Sequence, residues 1–339
     1  MITKLKIKNF KSIKDLSLDC RKINIFIGEP NAGKSNILEA LGLFSFAAYG
    51  KELKEFVRYE KIINLFFDNE ISNPIEITVE DLNIEIFYQD GNVLFFLEPP
   101  KLGESFLGEK FFIEERKEFF RYSIDKGVKS RTYLEGLPKK FKFYRFNKEE
   151  LFTSSDSAFL MPPFGKNLLT VLQTHKEVRT IVSELLNNFN YQLLLEPFEN
   201  KIKIIKRTEE VFVSFPYTVI SDTLQRIIFY MTALLSNKDS ILMFEEPESH
   251  AFPYYTKYLA ECIAFDKTNQ FFISTHNPYF LISVLEKAQK EDIQVIIVYM
   301  KDFVTKIRVL SEDEIEESLN EGIDLFFNLE RFLEDEDCS

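Results

Sequence analysis

The segment from residue 28 to residue 35 has the residue types and spacing of a phosphate-binding loop. Its sequence, GEPNAGKS, fits the pattern G-x-x-x-x-G-K-[ST] at every fixed position. Gly28 and Gly33 lack a Cβ atom, so the backbone can turn sharply and approach a phosphate. Lys34 would place its ammonium between the β- and γ-phosphates, and the Ser35 hydroxyl would bind Mg²⁺. The residues of this loop that we expect to contact a nucleotide are Gly28, Asn31, Ala32, Gly33, Lys34 and Ser35.

Two adjacent carboxylates could bind a metal ion and activate a water molecule for hydrolysis. The apolar residues 241 to 244 predict a buried strand, and Glu245 and Glu246 follow it directly. Ligands of open α/β sheets lie at the carboxyl ends of the strands. Glu245 is placed to hold Mg²⁺ through its water shell, and Glu246 is placed as the general base for the attacking water. The alternative is an acidic turn without a catalytic role.

His276 and Ser221 are two further candidates. His276 ends a second apolar strand, in S-T-H-N-P, where an imidazole could contact the γ-phosphate or position the water. A lone histidine is also often only a hydrogen-bonded core or surface residue. Ser221 begins an apolar helix, so its hydroxyl could simply cap the N–H groups of that helix. The same helix end, with its partial positive charge, could instead face an anion supplied by another subunit.

The elements next to the phosphate-binding pattern are those that the pattern requires. Ile23, Ile25 and Ile27 predict a buried strand before the loop. Leu38 and Leu41 recur at helical spacing after it. A glycine-containing turn that merely precedes a helix is the alternative, and the strand–loop–helix order favours phosphate binding. Further strands are predicted at 271–276, 295–298 and 307–310, and Ser311 with Glu314 predicts a capping box for a last helix.

The remaining segments predict an antiparallel sheet and a second, mainly helical lobe. Residues 4 to 8 alternate lysine with apolar residues, which is typical of a half-buried edge strand with its lysines outward. Strands between 75 and 98, with a hairpin turn at Asp90-Gly91, predict an antiparallel sheet inserted after the first helix. More strands are expected near 119–124 and 141–146. Residues 167 to 188 have helical spacing, and short strands follow at 191–195, 201–206 and 211–215.

Composition limits the class of protein. The chain has 339 residues, of which 45% are hydrophobic and 28% charged, so it can bury a large core, built on 36 Phe and no Trp. A net charge of −12 argues against a surface that attracts nucleic acid everywhere, but not against a local basic patch. Three scattered cysteines suggest neither a zinc site nor a disulfide framework. With no signal-peptide core and no membrane span in the sequence, we expect a cytoplasmic protein.

The order of these segments resembles a known family. The phosphate loop, S-D-T-L-Q, E-E-P-E-S-H and S-T-H-N follow one another as in the ABC-type ATPase head of the RecF, SMC and OLD group, and especially the AAA family ATPases related to OLD proteins. N-F-K-S before the loop and Asn36 after it also fit. The resemblance covers most of the chain, although residues 50 to 215 match by architecture more than by motif. Asp222 and Thr223 stand where the family signature usually has glycines, and neither a long coiled coil nor a nuclease domain is expected.

The resemblance implies a fold and a set of roles. The fold is an α/β P-loop NTPase head of the ABC type, with a mixed sheet, an inserted antiparallel β region and a mainly helical second lobe. Lobe I would comprise residues 1–146 and 239–339, and lobe II residues 147–238. Glu245 would be the Walker B acid, Glu246 the catalytic base and His276 the switch histidine. Asn36 would join the nucleotide contacts, and Ser221 would act on ATP bound to a second subunit.

Two functions remain open at this point, and a transport ATPase is a third option for which no membrane-coupling helix is evident. The first is a Mg²⁺-dependent ATPase that dimerises with ATP and acts in DNA repair or defence, on nucleic acid or with a separate nuclease. The second is a nucleotide-gated module that controls a protein partner, such as a toxin or nuclease, without touching DNA. Two basic clusters favour the first, unless they are only solvated strand faces: Lys139, Lys140, Lys142 and Arg145, and Lys201, Lys203, Lys206 and Arg207.

Overall fold

The computed structural model describes residues 1–99, 105–106, 109–110, 115–132, 139–321 and 325–333. The strands are β1 (Lys4–Phe10), β2 (Ile13–Asp19), β3 (Ile23–Ile27), β4 (Ile75–Val79), β5 (Leu82–Gln89), β6 (Asn92–Glu98), β7 (Ser105–Phe106), β8 (Glu109–Lys110), β9 (Lys117–Ser123), β10 (Lys129–Arg131), β11 (Phe141–Tyr144), β12 (Tyr191–Glu196), β13 (Lys201–Thr208), β14 (Val211–Pro216), β15 (Ile241–Glu245), β16 (Gln270–Ser274), β17 (Ile293–Lys301) and β18 (Val304–Val309). The helices are α1 (Lys34–Tyr49), α2 (Leu168–Thr174), α3 (Lys176–Asn187), α4 (Asp222–Ser236), α5 (Pro253–Phe265), α6 (Pro278–Leu285) and α7 (Glu312–Glu321).

One sheet contains the predicted buried strands. Its order is β11-β15-β16-β3-β17-β18, and every pair is parallel except β17 with β18. All residues of β3 and β16 are buried, as their apolar sequences predicted. Because β3, β15 and β16 run in the same direction, their carboxyl ends lie at one edge of the sheet. The α/β fold with a mixed sheet, which the sequence predicted, is therefore confirmed.

The second sheet is antiparallel, in the order β10-β9-β6-β5-β4-β1-β2. The turn predicted at Asp90-Gly91 joins β5 to β6. The prediction that β1 is an edge strand is wrong, because β1 pairs with β2 on one side and with β4 on the other. Its lysines do face outward. The strand predicted near 141–146 exists as β11, but it pairs with β15 in the parallel sheet.

Helix α1 lies in the core that these two sheets share. Every residue from Ile37 to Ala47 is buried, so the apolar residues of α1 are not restricted to one stripe. Phe46 illustrates the phenylalanine-based core. Its ring centroid lies 5.8 Å from that of Phe56, 6.2 Å from that of Phe119 and 5.3 Å from that of Phe120. The phosphate-loop helix is thereby fixed by packing on several sides.

Residues 147–238 combine helices with a small sheet. They contain α2, α3 and α4 together with the antiparallel sheet β12-β13-β14. The helix predicted from Asn167 to Asn188 is divided, because α2 ends at Thr174 and α3 begins at Lys176. The three short strands are confirmed. The division of the chain into two lobes stays a prediction.

Helix α7 begins with the predicted pair of capping residues. The backbone N–H of Ser311 donates to Glu314 Oε2 at 2.8 Å and that of Glu314 donates to Ser311 Oγ at 3.3 Å, which confirms the capping box.

Within the described ranges, no helix is both long and apolar enough to cross a membrane. Cys20 and Cys262 are free thiols, and Cys338 lies outside the described residues.

The packing of α1 makes a stability prediction. We expect Phe46→Ala to lower the free energy of unfolding by about 3–5 kcal/mol, because it removes a buried ring from the middle of an aromatic cluster. Phe265→Ala is the matched control, since Phe265 is 62% exposed at the end of α5. Urea unfolding of both variants is the measurement. Equal losses in the two variants would contradict the role assigned to the α1 core.

Candidate active site

The two glycines of the phosphate loop are required by neighbouring strands. Gly28 has φ 144° and Gly33 has φ 108°, both in the region that favours glycine. A Cβ atom on Gly28 would lie 2.0 Å from the carbonyl oxygen of Val298 in β17, and one on Gly33 would lie 2.1 Å from Thr305 Oγ1 in β18. Thr305 Oγ1 also donates to the Ala32 carbonyl at 3.0 Å. The sequence pattern did not indicate that Thr305 shapes the loop.

Lys34 lies inside the loop rather than on the surface. It is 5% exposed, and its Nζ donates to the carbonyls of Gly28 and Glu29, both at 2.7 Å. Burial lowers the pKa of Lys34 to about 8, because it disfavours the charged form, and the carboxylates of Glu246 and Glu29 oppose that shift. The ammonium is therefore held beside the backbone that would cradle the phosphates.

Ser35 and Glu245 meet where a magnesium site was predicted. The Ser35 hydroxyl helps to lower the pKa of the Glu245 carboxylate, which accepts hydrogen bonds from Arg58 Nη2 at 2.8 Å and from Arg145 Nε at 2.6 Å. Burial alone would raise the pKa of Glu245, but the charges of Arg145 and Arg58 outweigh it and lower the pKa. Glu245 is therefore an ionised oxygen donor next to Ser35.

A buried carboxylate behind this pair joins the two arginines to α1. The side chain of Glu39 is 0% exposed. It accepts from Arg58 Nε at 2.7 Å and from Arg145 Nη2 at 3.0 Å, and it pairs with Lys11. Lys11, from the N-F-K-S segment before the phosphate loop, thus binds Glu39. Nothing in the local sequence indicated this network, because its members lie in separate elements.

Glu246 and His276 face each other across the edge of the sheet. Glu246 has φ 43°, and its Oε2 accepts from Ser249 Oγ at 2.9 Å. Its Oε1 lies 3.6 Å from His276 Nε2. Burial first, and the charge of Lys34 second, lower the pKa of His276, while Glu246 opposes the shift. Burial and Lys34 therefore favour the neutral imidazole, which suits a group that positions water rather than one that carries charge.

These side chains border one cavity of about 430 Å³. The residues that line it are Ser12, Pro30, Asn31, Gly33, Lys34, Ser35, Asn36, Arg58, Glu246 and His276. Ser12 was not predicted; its Oγ accepts from Asn36 Nδ2 at 2.7 Å and lies 2.6 Å from Thr305 Oγ1. Three predicted residues lie next to the cavity without lining it: Ala32, which is 3% exposed, Gly28, and Glu245, which binds the lining residue Arg58.

Ser221 does not line this cavity. It caps α4, where its Oγ accepts from the backbone N–H of Leu224 at 3.4 Å. The two residues that replace signature glycines have partners of their own. Asp222 pairs with Lys148 at 2.7 Å, and Thr223 Oγ1 donates to the His250 carbonyl at 2.7 Å. The beginning of α4 is thereby joined to the loop that follows Glu246.

The donor set near Ser35 fits Mg²⁺. A serine hydroxyl and a carboxylate are oxygen ligands, and Mg²⁺ in phosphate sites uses one or two carboxylates together with waters and substrate oxygens. Among the residues that the structure describes, no cluster of three or more His, Cys, Asp or Glu could hold a metal by itself. An ion would therefore rely on Ser35, Glu245 and a bound nucleotide.

Known proteins with similar sequences support the assignment of this chain as an ATPase. The chain is 21% identical over 360 residues to an "ATP/GTP phosphatase" of Helicobacter pylori, with 93% of each protein covered. It is 39% identical over 95 residues to an uncharacterized protein of Methanocaldococcus jannaschii, but this match covers 24% of the chain and 42% of that relative.

A solved structure and two family models complete the comparison. A crystal structure of an SMC head bound to the C-winged helix domain of ScpA aligns with a TM-score of 0.56 at 18% identity, covering 93% of this chain and 99% of that one. An AAA domain model whose description names the AbiEii toxin and Type IV TA systems matches residues 213–283. The model described as AAA ATPase domain matches residues 1–214. That match extends over more than half of the sequence, so the chain belongs to the AAA ATPase domain family: it is a P-loop ATPase with the fold of an SMC head.

Proposed function

We propose that the chain hydrolyses ATP in the 430 Å³ cavity and uses the reaction to switch its own dimerisation. The observation that carries this proposal is the convergence of Lys34, Ser35, Glu246 and His276 on one cavity. A cation for the phosphates, an oxygen donor for a metal, a carboxylate and a neutral imidazole are the groups that ATP hydrolysis needs. They come from three neighbouring strand ends.

Binding falls to the loop and its metal ligands. The backbone of Asn31, Gly33 and Asn36 would surround the phosphates at the N-terminus of α1, with Lys34 as the fixed charge. Ser35 and Glu245 would hold Mg²⁺, which when bound supplies positive charge to the phosphate oxygens. For Glu245 to do so, the side chains of Arg58 and Arg145 must share or release its oxygens.

Turnover falls to Glu246 and His276. The attacking water would lie in the cavity beside Glu246, whose carboxylate takes a proton as the water attacks the γ-phosphorus. His276 would accept or donate a hydrogen bond near the γ-phosphate and keep the water in line. As the new bond forms, the bond between the γ-phosphorus and the β–γ bridging oxygen breaks, and that oxygen leaves with ADP. Glu246 then releases its proton to the phosphate or to solvent, and both products leave.

A second subunit completes the site in this proposal. Ser221 caps α4 away from its own cavity, so an anion at this helix end must come from elsewhere. The γ-phosphate of ATP bound to a partner copy would supply it, and ADP would not. ATP would therefore close a homodimer and hydrolysis would open it.

The pathway that uses the switch is proposed as DNA repair or defence against phages and mobile elements, in the cytoplasm. In the structure, the two basic clusters support binding to nucleic acid less than their sequence suggested. Lys142 is 5% exposed and Arg145 binds Glu39 and Glu245, so half of the first cluster faces inward. In the second cluster Lys203 pairs with Glu196 at 2.7 Å, and Lys206 and Arg207 remain exposed.

The second candidate is a nucleotide-gated module that controls a toxin or nuclease without binding DNA. The family model over residues 213–283, whose description names a toxin, favours it. ATPase assays with and without DNA, and DNA binding at several salt concentrations, separate the two. Affinity that falls steeply with salt indicates a phosphate-binding surface and favours the first role.

We expect Lys34→Ala to abolish hydrolysis and to remove most of the ATP affinity, because it deletes the charge meant for the β- and γ-phosphates. Since Lys34 is buried, thermal unfolding must show that the variant is folded. Lys6→Ala, on the exposed face of β1, is the matched control. Normal turnover by a folded Lys34→Ala protein would refute the site assignment.

We expect Glu246→Gln to bind ATP but to lose turnover on the order of 10²-fold or more, because an amide cannot take a proton from water. Steady-state hydrolysis and nucleotide binding are measured on the same sample. Glu245→Gln is the comparison, and it should weaken Mg²⁺-dependent binding as well. If Glu245→Gln binds Mg·ATP well and hydrolyses more slowly than Glu246→Gln, the two roles are reversed.

The dimer is tested in the Glu246→Gln background, where ATP persists. Sedimentation should show association that tightens with ATP and relaxes with ADP, because only ATP binds the two states differently. Adding Ser221→Arg should block association and leave ATP binding to one subunit intact. Thr180→Arg, on the exposed side of α3, is the matched control. An association state indifferent to nucleotide and to Ser221→Arg would rule out the proposed sandwich.

A further inference from the structure

Glu248 is a buried carboxyl group between the two loops that carry Glu246 and His276. It is 4% exposed, although it lies in a loop that follows a strand. Its Oε1 accepts from Thr275 Oγ1 at 2.5 Å and from the backbone N–H of His276 at 3.2 Å. One oxygen atom therefore joins the loop after β15 to the turn after β16.

The second oxygen of Glu248 shows that the group is not placed there as an ordinary ion pair. Oε2 is buried and has no hydrogen-bond partner among the described residues. Burial raises the pKa of Glu248 to about 7, and the negative charge of Glu246 acts in the same direction. A neutral carboxyl keeps the acceptor oxygen Oε1 while avoiding an uncompensated buried charge.

The contacts on either side of Glu248 lead to the reacting groups. Ser249 follows it directly, and its Oγ donates to Glu246 Oε2 at 2.9 Å. The backbone N–H of Glu246 donates to the Ser274 carbonyl at 3.0 Å, so the two loops are also joined at their bases. Glu246 and His276 then meet at 3.6 Å. We call the bonds that Glu248 Oε1 accepts from Thr275 Oγ1 and from the His276 backbone N–H the Glu248 clasp.

We propose that Glu248 is a positioning residue for hydrolysis: the Glu248 clasp holds the loops so that Glu246 and His276 keep the separation at which they act on the same water. The inference rests on the proposed roles of Glu246 and His276. In this proposal Glu248 itself does not touch the substrate. A displacement of about 1 Å in a reacting group can reduce turnover on the order of 10²-fold, so a clasp at this place has a measurable kinetic effect.

Three variants separate positioning from plain structural support. Glu248→Ala removes the clasp and should lower kcat on the order of 10²-fold, while KM for ATP changes by less than about threefold because the phosphate loop is untouched. Glu248→Gln keeps an acceptor oxygen on a neutral group and should retain most of kcat. Thr275→Val keeps the shape of Thr275 without the donor and should give an intermediate loss. Glu177→Gln, on the exposed side of α3, is the matched control.

The test depends on whether each substitution changes kcat or KM. The proposal is overturned if Glu248→Ala turns over normally, if its loss appears in KM rather than in kcat, or if Glu248→Gln is as inactive as Glu246→Gln. If Glu248→Ala does not fold, Thr275→Val and Glu248→Gln carry the test, and equal kcat values for these two would count against the clasp.

The Glu246→Gln variant distinguishes a failure of the proposed general base from a failure of the Glu248 clasp. Turnover retained by Glu246→Gln would overturn the proposed general base, whatever Glu248→Ala does. An inactive Glu246→Gln beside a fully active Glu248→Ala would leave the proposed function intact and remove only the clasp. Binding of a fluorescent ATP analogue to each variant confirms that differences in kcat are not losses of substrate.

Discussion

The hydrogen bonds between three parallel strands determine where every group of the site can be. β16 lies between β3 and β15, so the turn with His276 stands between the phosphate loop and the acidic loop. A slip of one residue in either pairing would reverse the faces of a strand that is buried on both sides. The buried side chains of these strands therefore fix the register, and the register fixes the distance between Glu246 and Lys34. Catalytic geometry in this protein is a consequence of core packing.

Charge adds a second constraint at the same edge. Glu39 is fully buried in α1, and a buried carboxylate is tolerated only with partners. Lys11, Arg58 and Arg145 provide them, and the two arginines also bind Glu245. The helix of the phosphate loop and the strand end that carries Glu245 are thus joined through shared guanidinium groups. This arrangement lowers the pKa of Glu245 in a place where burial alone would raise it.

The sequence predicted the parts of the site that depend on local pattern. The phosphate loop, the strands around it and the acidic strand end could be found because turn chemistry and apolar runs are short-range properties. It did not reveal Thr305, Ser12 or the partners of Glu39, since each acts through a contact with a distant segment. The edge position of β1 was predicted wrongly for the same reason: its second neighbour, β4, lies far along the chain. Lys142 reads as a surface charge, yet Asn237 and Ser240 hold it in the interior.

The position of β3 at the centre of the parallel sheet also governs how the chain can be made. β3 is complete at residue 27, but its neighbours β16 and β17 begin at Gln270 and Ile293. A ribosome adds roughly 5–20 residues per second, so a nascent β3 waits on the order of ten seconds or longer for its partners. Throughout that interval a strand with four apolar residues out of five, and the glycine loop after it, lack their neighbours in the sheet. The ATP site therefore cannot form during translation until β16 and β17 have been made, long after its phosphate loop has left the ribosome.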